Sequence, residues 1–300
     1  MVFDVKMDTT QNFKELIKYA TASVFVKPYE KEGYYCPVNL ALISPPECGK
    51  TRLLGGILCK KTYETMDLSP KNIKERVIPM VEKGEKGVLV ITDLIGLLGH
   101  KKITSNSTIR FLNALIEEGV QNNDFYGMEF HLEKKVKCGL IFGVTNGEFK
   151  EKVYEWNKIG FLHRIIPISY DYSEAKINEI QGLIASGKLF NDINEIAIER
   201  NKPTAIKIPD KYSADINILT QRVVERLRKF VIKRARISTK EIDIYFDIKG
   251  FRLHDRLRQL ARAIAFLDSK GKRKEVNSSD IEKLYSLEHL INFPNSKIMV

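Results

Sequence analysis

One stretch does most to decide what the chain can become: "VNLALISPPECGKTRLL", residues 38–54. Its apolar run over 38–44 is too short for a buried helix and suits a central parallel strand. "KTRLLGGILCKK", 50–61, has the length and periodicity of the helix that should follow. Two prolines and a glycine separate the two, so strand and helix meet in a tight turn.

The rest of the chain supplies partners for such a strand. "GVLVIT" (87–92), "CGLIFGVTN" (138–146) and "HRIIPISYD" (163–171) are further apolar runs, with helices such as "NSTIRFLNALIEEG" between them. That alternation predicts an α/β fold with a parallel sheet between helices. Ahead of it, "NFKELIKYATASVFV" spaces Phe13, Leu16, Ile17 and Ala20 for one helix face. From about residue 175 the strands fade. "DINILTQRVVERLRKFVIKRA", "RLHDRLRQLARAIAFLDSKG" and "SSDIEKLYSLEHLINF" all read as helices, the last opened by an N-cap serine and Asp280. A boundary near residue 172 thus divides an α/β core, 1–172, from a smaller helical lid, 173–300. With 300 residues and 43% hydrophobic content, either arrangement can bury a large core.

Composition narrows the setting. No run of about 20 apolar residues exists and the N-terminus lacks the continuous apolar centre of a signal peptide, so a soluble, intracellular (cytoplasmic) protein without membrane contact is expected. Cys36, Cys48, Cys59 and Cys138 form no CxxC pair, which signals neither zinc nor a disulfide framework. A net charge of +11 would draw a polyanion such as nucleic acid.

The turn between strand and helix has the chemistry of a phosphate-binding loop. Such a loop needs backbone N–H groups aimed into an anion-sized nest, a lysine for the outer phosphates and a hydroxyl for magnesium. Gly49, Lys50 and Thr51 supply them. Ser44 stands where the first glycine of G-x-x-x-x-G-K-[ST] is usual, and Pro45, Pro46, Glu47, Cys48 and Arg52 complete the segment. Serine is small enough for many tight turns, whereas Glu47 adds a carboxylate beside a site meant for anions.

"SPPECGKTRLL" resembles the Walker A segment of AAA+ ATPases, which often carry a proline pair before Gly-Lys-Thr. The resemblance implies ATP with Mg2+, and the family's other elements appear in order. "GVLVITDLIGLLG" resembles a Walker B strand. In that register Thr92 stands at the metal position and Asp93 at the catalytic one; alternatively Asp93 serves the metal together with Thr51 and the base is missing. Glu117 or Glu118 would then be candidates to complete a site elsewhere. "CGLIFGVTNGEF" resembles the strand ending in sensor 1, with Asn146 first and Thr145 second. "GFLHRIIPIS" resembles the segment that projects an arginine finger into a neighbouring subunit, which makes Arg164 that finger. "HDRLRQLARAIAFL" resembles the lid helix that carries a sensor 2 arginine, Arg256 before Arg258, with Leu257, Leu260, Ala261 and Ile264 as its packing face. The resemblance covers roughly residues 12–290.

Between the Walker B and sensor 1 segments, a helix ending at Glu117-Glu118 precedes a possible hairpin, "FYGMEFHLEKKVKC". This resembles the clade with a pre-sensor-1 hairpin, which includes minichromosome maintenance helicases and MoxR-type ATPases. It implies a homo-oligomeric ring or arc, with a hexamer as one form, that couples ATP binding or hydrolysis to remodelling DNA or a replication complex. A MoxR-type protein remodeller and a nucleotide-gated module with little hydrolysis are the alternatives. DNA contact is expected at the hairpin lysines Lys134, Lys135 and Lys137. The basic run of Arg222, Arg226, Arg228, Lys229, Lys233, Arg234 and Arg236, and "KGKRK" at 270–274, add to it.

Overall fold

The computed structural model describes residues 9–29, 35–66, 68–94, 102–123, 129–186, 194–195, 203–229, 231–234, 242–245 and 249–294. Along the first part run α1 (Thr9–Ala22), β1 (Val26–Pro28), β2 (Leu40–Ser44), α2 (Lys50–Gly55), β3 (Ile57–Leu58) and β4 (Thr62–Glu64). A helical stretch, α3 (70–82), follows, with its middle turn Ile73–Val77 wound as a π-helix. Then come β5 (Val88–Ile91), α4 (Lys102–Ile116), β6 (Val120–Asn123), β7 (Phe130–Val136), β8 (Gly139–Thr145), α5 (Asn146–Lys158) and β9 (Ile166–Ser169). The last part holds α6 (Glu174–Ala185), β10 (Asn194–Glu195), β11 (Thr204–Ile206), α7 (Asp210–Arg228), β12 (Val231–Arg234), β13 (Ile242–Tyr245), α8 (Phe251–Asp268) and α9 (Ser278–Ser286).

Five strands form a parallel sheet in the order β4-β5-β8-β2-β9, with helices packed against it. Every residue of β2, β5 and β9 is buried, which is why these strands read as unbroken apolar runs rather than alternating ones. β8 lies between β2 and β5, so the ends of these three strands come together at one edge of the sheet. In an open parallel sheet the crevice beyond the carboxyl ends is where ligands find converging loops.

Two details differ from the sequence expectation. The helix expected over 50–61 stops at Gly55, and the chain re-enters extended structure at Ile57–Leu58. Gly55-Gly56 ends it, because two consecutive glycines remove helix propensity where a β-branched isoleucine follows. The last helix is capped by Asn277, not by a serine: Asn277 Oδ1 accepts from the Asp280 amide at 3.1 Å and Asp280 Oδ2 accepts from the Asn277 amide at 2.8 Å.

The expected boundary near residue 172 is crossed by the chain's own pairing. β1 pairs in parallel with β11, Val26 opposite Thr204, and α1 packs along α8. The face predicted for α1 is buried, Phe13, Leu16, Ile17 and Ala20 all being at most 2% exposed. So are Leu257, Leu260, Ala261 and Ile264 on α8. That helix also buries Gln259 and Arg262, and each has a backbone partner. Gln259 Nε2 donates to Ser23 O and Val26 O at 2.9 Å each, and Arg262 Nε donates to Ile206 O at 3.0 Å. These bonds offset the cost of burying polar groups and pin both strands of the small sheet to one helix. Among the described residues no helix is long and apolar enough to cross a membrane.

Candidate functional site

The turn after β2 is built from two residues with left-handed backbone, Glu47 at φ 64° and Gly49 at φ 73°. A Cβ on Gly49 would meet nothing within 4 Å, so the glycine is required by conformation rather than by space. Leu53 N donates to Gly49 O at 2.9 Å, and α2 begins there. Left-handed residues separated by one residue are compatible with a backbone that turns N–H groups to one side, as anion nests do. Tyr170, at the end of β9 and 1% exposed, braces the loop by donating its hydroxyl to Cys48 O at 3.1 Å. Sequence reasoning passed over Tyr170, and only the pairing of β9 with β2 brings it here.

Lys50 folds back over its own loop. Its Nζ donates to Pro45 O at 2.8 Å, Ser44 Oγ at 3.1 Å and Ser44 O at 3.2 Å. All three acceptors are neutral. Burial lowers the pKa of this ammonium, while the nearby Cys48, Glu148 and Asp93 pull it back up. Ser44, in place of the usual glycine, thus serves as a hydroxyl rest for the lysine. The Cys48 thiol is pushed up by burial and by Asp171, whose Oδ1 lies at 3.8 Å. Pro46, Glu47, Thr51 and Arg52 face solvent around this core.

Asp93 and Asn146 lie at the ends of the next two strands. Thr92 is buried and Asp93 exposed just past β5. The two strands approach closely here, because a Cβ on Gly143 would stand 2.4 Å from Thr92 O. Asn146 opens α5, and its side-chain Oδ1 is buried without a hydrogen-bond partner. Thr145, the second choice for a sensor, is the helix cap instead. Its Oγ1 accepts from Glu148 N at 3.3 Å, while its own N–H and hydroxyl donate to Glu148 Oε2 at 3.0 and 2.6 Å. Among the described residues no three metal-ligating side chains come together. A magnesium ion that keeps its waters and bridges phosphates asks only for one or two protein oxygens, which Thr51 and Asp93 would offer.

Arg164 and Arg256 are not brought to this edge. Arg164 precedes β9, and Asn39 Nδ2, just before β2, donates to its carbonyl at 3.0 Å. Both residues are therefore at the amino ends of their strands, whereas the loop follows the carboxyl end of β2, about 16 Å away along that strand. Arg256, expected over a nucleotide bound by its own chain, is 3% exposed and pairs with Glu117 at 2.9 Å at the end where Arg164 lies. Arg252 joins the same carboxylate at 3.1 Å. Glu117, just past α4, is thus an arginine partner rather than a member of the loop site. Arg258 donates to Ser213 Oγ at 3.3 Å.

The expected hairpin exists as the antiparallel pair β6 and β7, with a register shift between Val120 and Asn122; residues 124–128 lie outside the described residues. Lys134 and Lys135 are exposed on β7. Lys137 is not with them, for it follows the strand, lies half-buried along Gly119 and donates to Tyr35 O at 3.3 Å. The basic helix α7 is spent partly on structure, since Arg222 and Arg226 hold Glu288 at 3.0 and 2.6 Å. Arg273 of the 270–274 cluster likewise pairs with the buried Asp280 at 2.7 Å. The side chains of Lys233 and Arg234, and Arg236 altogether, lie outside the described residues.

The class this defines is an α/β protein with a five-stranded parallel sheet flanked by helices and a lysine-bearing loop at the carboxyl end of a central strand. No family model matches the chain, and no curated protein matches it.

Proposed function

We propose that the chain is an AAA+-type ATPase that binds ATP with magnesium at the β2–α2 loop. The observation that carries this reading is Lys50: a half-buried ammonium in the β2–α2 loop, hydrogen-bonded among the described residues to neutral oxygens alone. A phosphate would give that charge the anion its loop does not, and would take the N–H groups as well. The strand order supports it further, because β8 sits between β2 and β5 and so sets Asn146 between the loop and Asp93. A group that touches the terminal phosphate or its water belongs in that position, and the unpartnered Oδ1 of Asn146 is an acceptor for such a water. In this reading Lys50 and the nest bind, Asp93 orients the attacking water or the metal's water, and magnesium when bound neutralises charge on the phosphates.

Arg164 acts on the nucleotide of another copy, because its own loop is at the far end of the sheet. In this reading the protein works as a homo-oligomer, a ring or arc. The work done with ATP is remodelling of DNA or of a replication complex, for which exposed Lys134 and Lys135 on a hairpin are the support. The core and helical lid expected as separate units are, in this reading, one body sewn together by β1 and β11. The test is Mg-ATP binding by calorimetry: wild type binds, and Lys50→Ala loses binding while keeping its circular dichroism spectrum. Equal affinity in the variant refutes the site.

A further inference from the structure

We propose that Glu117 is a restraint that holds Arg164 folded against its own subunit until phosphate from a neighbouring copy displaces it. The proposal rests on the reading of Arg164 as acting in trans. Three guanidinium groups converge on this carboxylate, and they do not share it equally. Arg256 Nη2 lies 2.9 Å from Glu117 Oε2 and Arg252 Nε lies 3.1 Å from Oε1, both at hydrogen-bond distance. Arg164 Nε is 3.7 Å from Oε2, beyond a hydrogen bond, and is buried without a hydrogen-bond partner. Its Nη2 is likewise 3.7 Å from Glu118 Oε1.

Arg256 also buries an unpartnered Nε, but it is bonded to Glu117 through Nη2, so Arg164 is the member of the cluster that is enclosed without a hydrogen bond to the carboxylate. Its side chain is only 12% exposed, and its one short contact among the described residues is Nη1 donating to Gly160 O at 2.7 Å. Burial and the like charge of Arg252 both work against its guanidinium there. A phosphate offers two parallel acceptors and a charge that is not divided among three arginines, so it outcompetes Glu117 for this one side chain. Arg252 and Arg256 keep Glu117 in place when Arg164 leaves, and the buried carboxylate is never stranded. Gly160 is the other wall of the inward pose: a Cβ there would lie 2.8 Å from Arg164 Nη1. The device makes an isolated subunit a poor partner and an assembled one a competent partner.

Two substitutions loosen the restraint from opposite sides, Glu117→Gln and Gly160→Ala. The readout is the rate at which phenylglyoxal modifies Arg164 in the full chain, followed by mass spectrometry of the peptide, with folding checked by circular dichroism. Arg164 is slow in wild type, and each folded variant speeds it about fivefold, the change expected for loss of one partly buried ion pair. If Glu117→Gln does not fold, Gly160→Ala carries the test. Unchanged labelling in the folded variants overturns the restraint. ATP turnover at low protein concentration, where assembly limits the rate, rises with labelling; faster labelling with unchanged turnover overturns the gating role. Failure of wild type to bind Mg-ATP strikes the phosphate-loop reading instead, and the labelling result stands apart from it.

Discussion

Gly143→Ala tests whether the two strand ends at the proposed site press on each other as closely as the structure has them. The added Cβ would stand 2.4 Å from Thr92 O, 3.4 Å from Thr92 C and 3.5 Å from Leu54 Cδ1. An ordinary carbon–oxygen contact is about 3.3 Å, so about 0.9 Å must open between the end of β5 and the middle of β8. Neither strand is free to give. β8 is hydrogen-bonded on both sides, with Phe142 opposite Ile91 and Gly143 opposite Leu42. The cost is then in the upper part of the overpacking range, about 2–3 kcal/mol. For a chain of this size that lowers Tm by roughly 4–6 °C. The same displacement shifts the Thr92–Asp93 turn, so Mg-ATP affinity and turnover fall with it. Gly147→Ala is the control, since a Cβ there meets nothing within 4 Å in the first turn of α5. It leaves stability unchanged or raises it by up to about 1 kcal/mol. A Gly143→Ala melt within about 1 °C of wild type refutes the close approach and the account of how Asp93 is positioned.

Three further outcomes are expected. Thr145→Ala removes the cap of α5 and costs about 1 kcal/mol in thermal or urea unfolding, while weakening Mg-ATP binding less than Asn146→Ala does. Mixing Arg164→Ala with Lys50→Ala subunits, each inactive alone, restores turnover through sites that combine an intact loop with an intact arginine; an arginine of this kind is worth on the order of a thousand-fold, and no recovery refutes action in trans. Lys134→Ala with Lys135→Ala flattens the log–log salt dependence of DNA binding by about 0.7–0.9 per lysine, measured by fluorescence anisotropy, whereas Lys137→Ala leaves the slope alone.

What could be read ahead of the structure was local. The burial of Phe13, Leu16, Ile17 and Ala20 followed from their spacing, and the parallel strands from uninterrupted apolar runs. The turn at Gly49 followed from its residue types. Three features depended on partners distant in sequence, and no periodicity encodes those. Arg256 resembles a sensor 2 arginine over a bound nucleotide until Glu117 arrives beside it. Lys137 belongs with Lys134 and Lys135 by sequence, yet the approach of Tyr35 and Gly119 half-buries it. β11 is a three-residue strand that only its pairing with β1 makes recognisable. The end of the helix after Lys50 is legible in Gly55-Gly56, but the apolar periodicity of 50–61 continues past it and conceals the stop.

The pairing of β1 with β11 has a consequence for how the protein is made. Val26–Pro28 leaves the ribosome long before Thr204–Ile206, and α8, which seals both, comes later still. At usual speeds of synthesis the wait is on the order of ten to forty seconds. Throughout it the apolar face of α1 and the open edge of β1 have no native cover, so a nascent chain of this protein is a client for a chaperone through most of its translation. Faster elongation would shorten that exposure and raise the soluble yield.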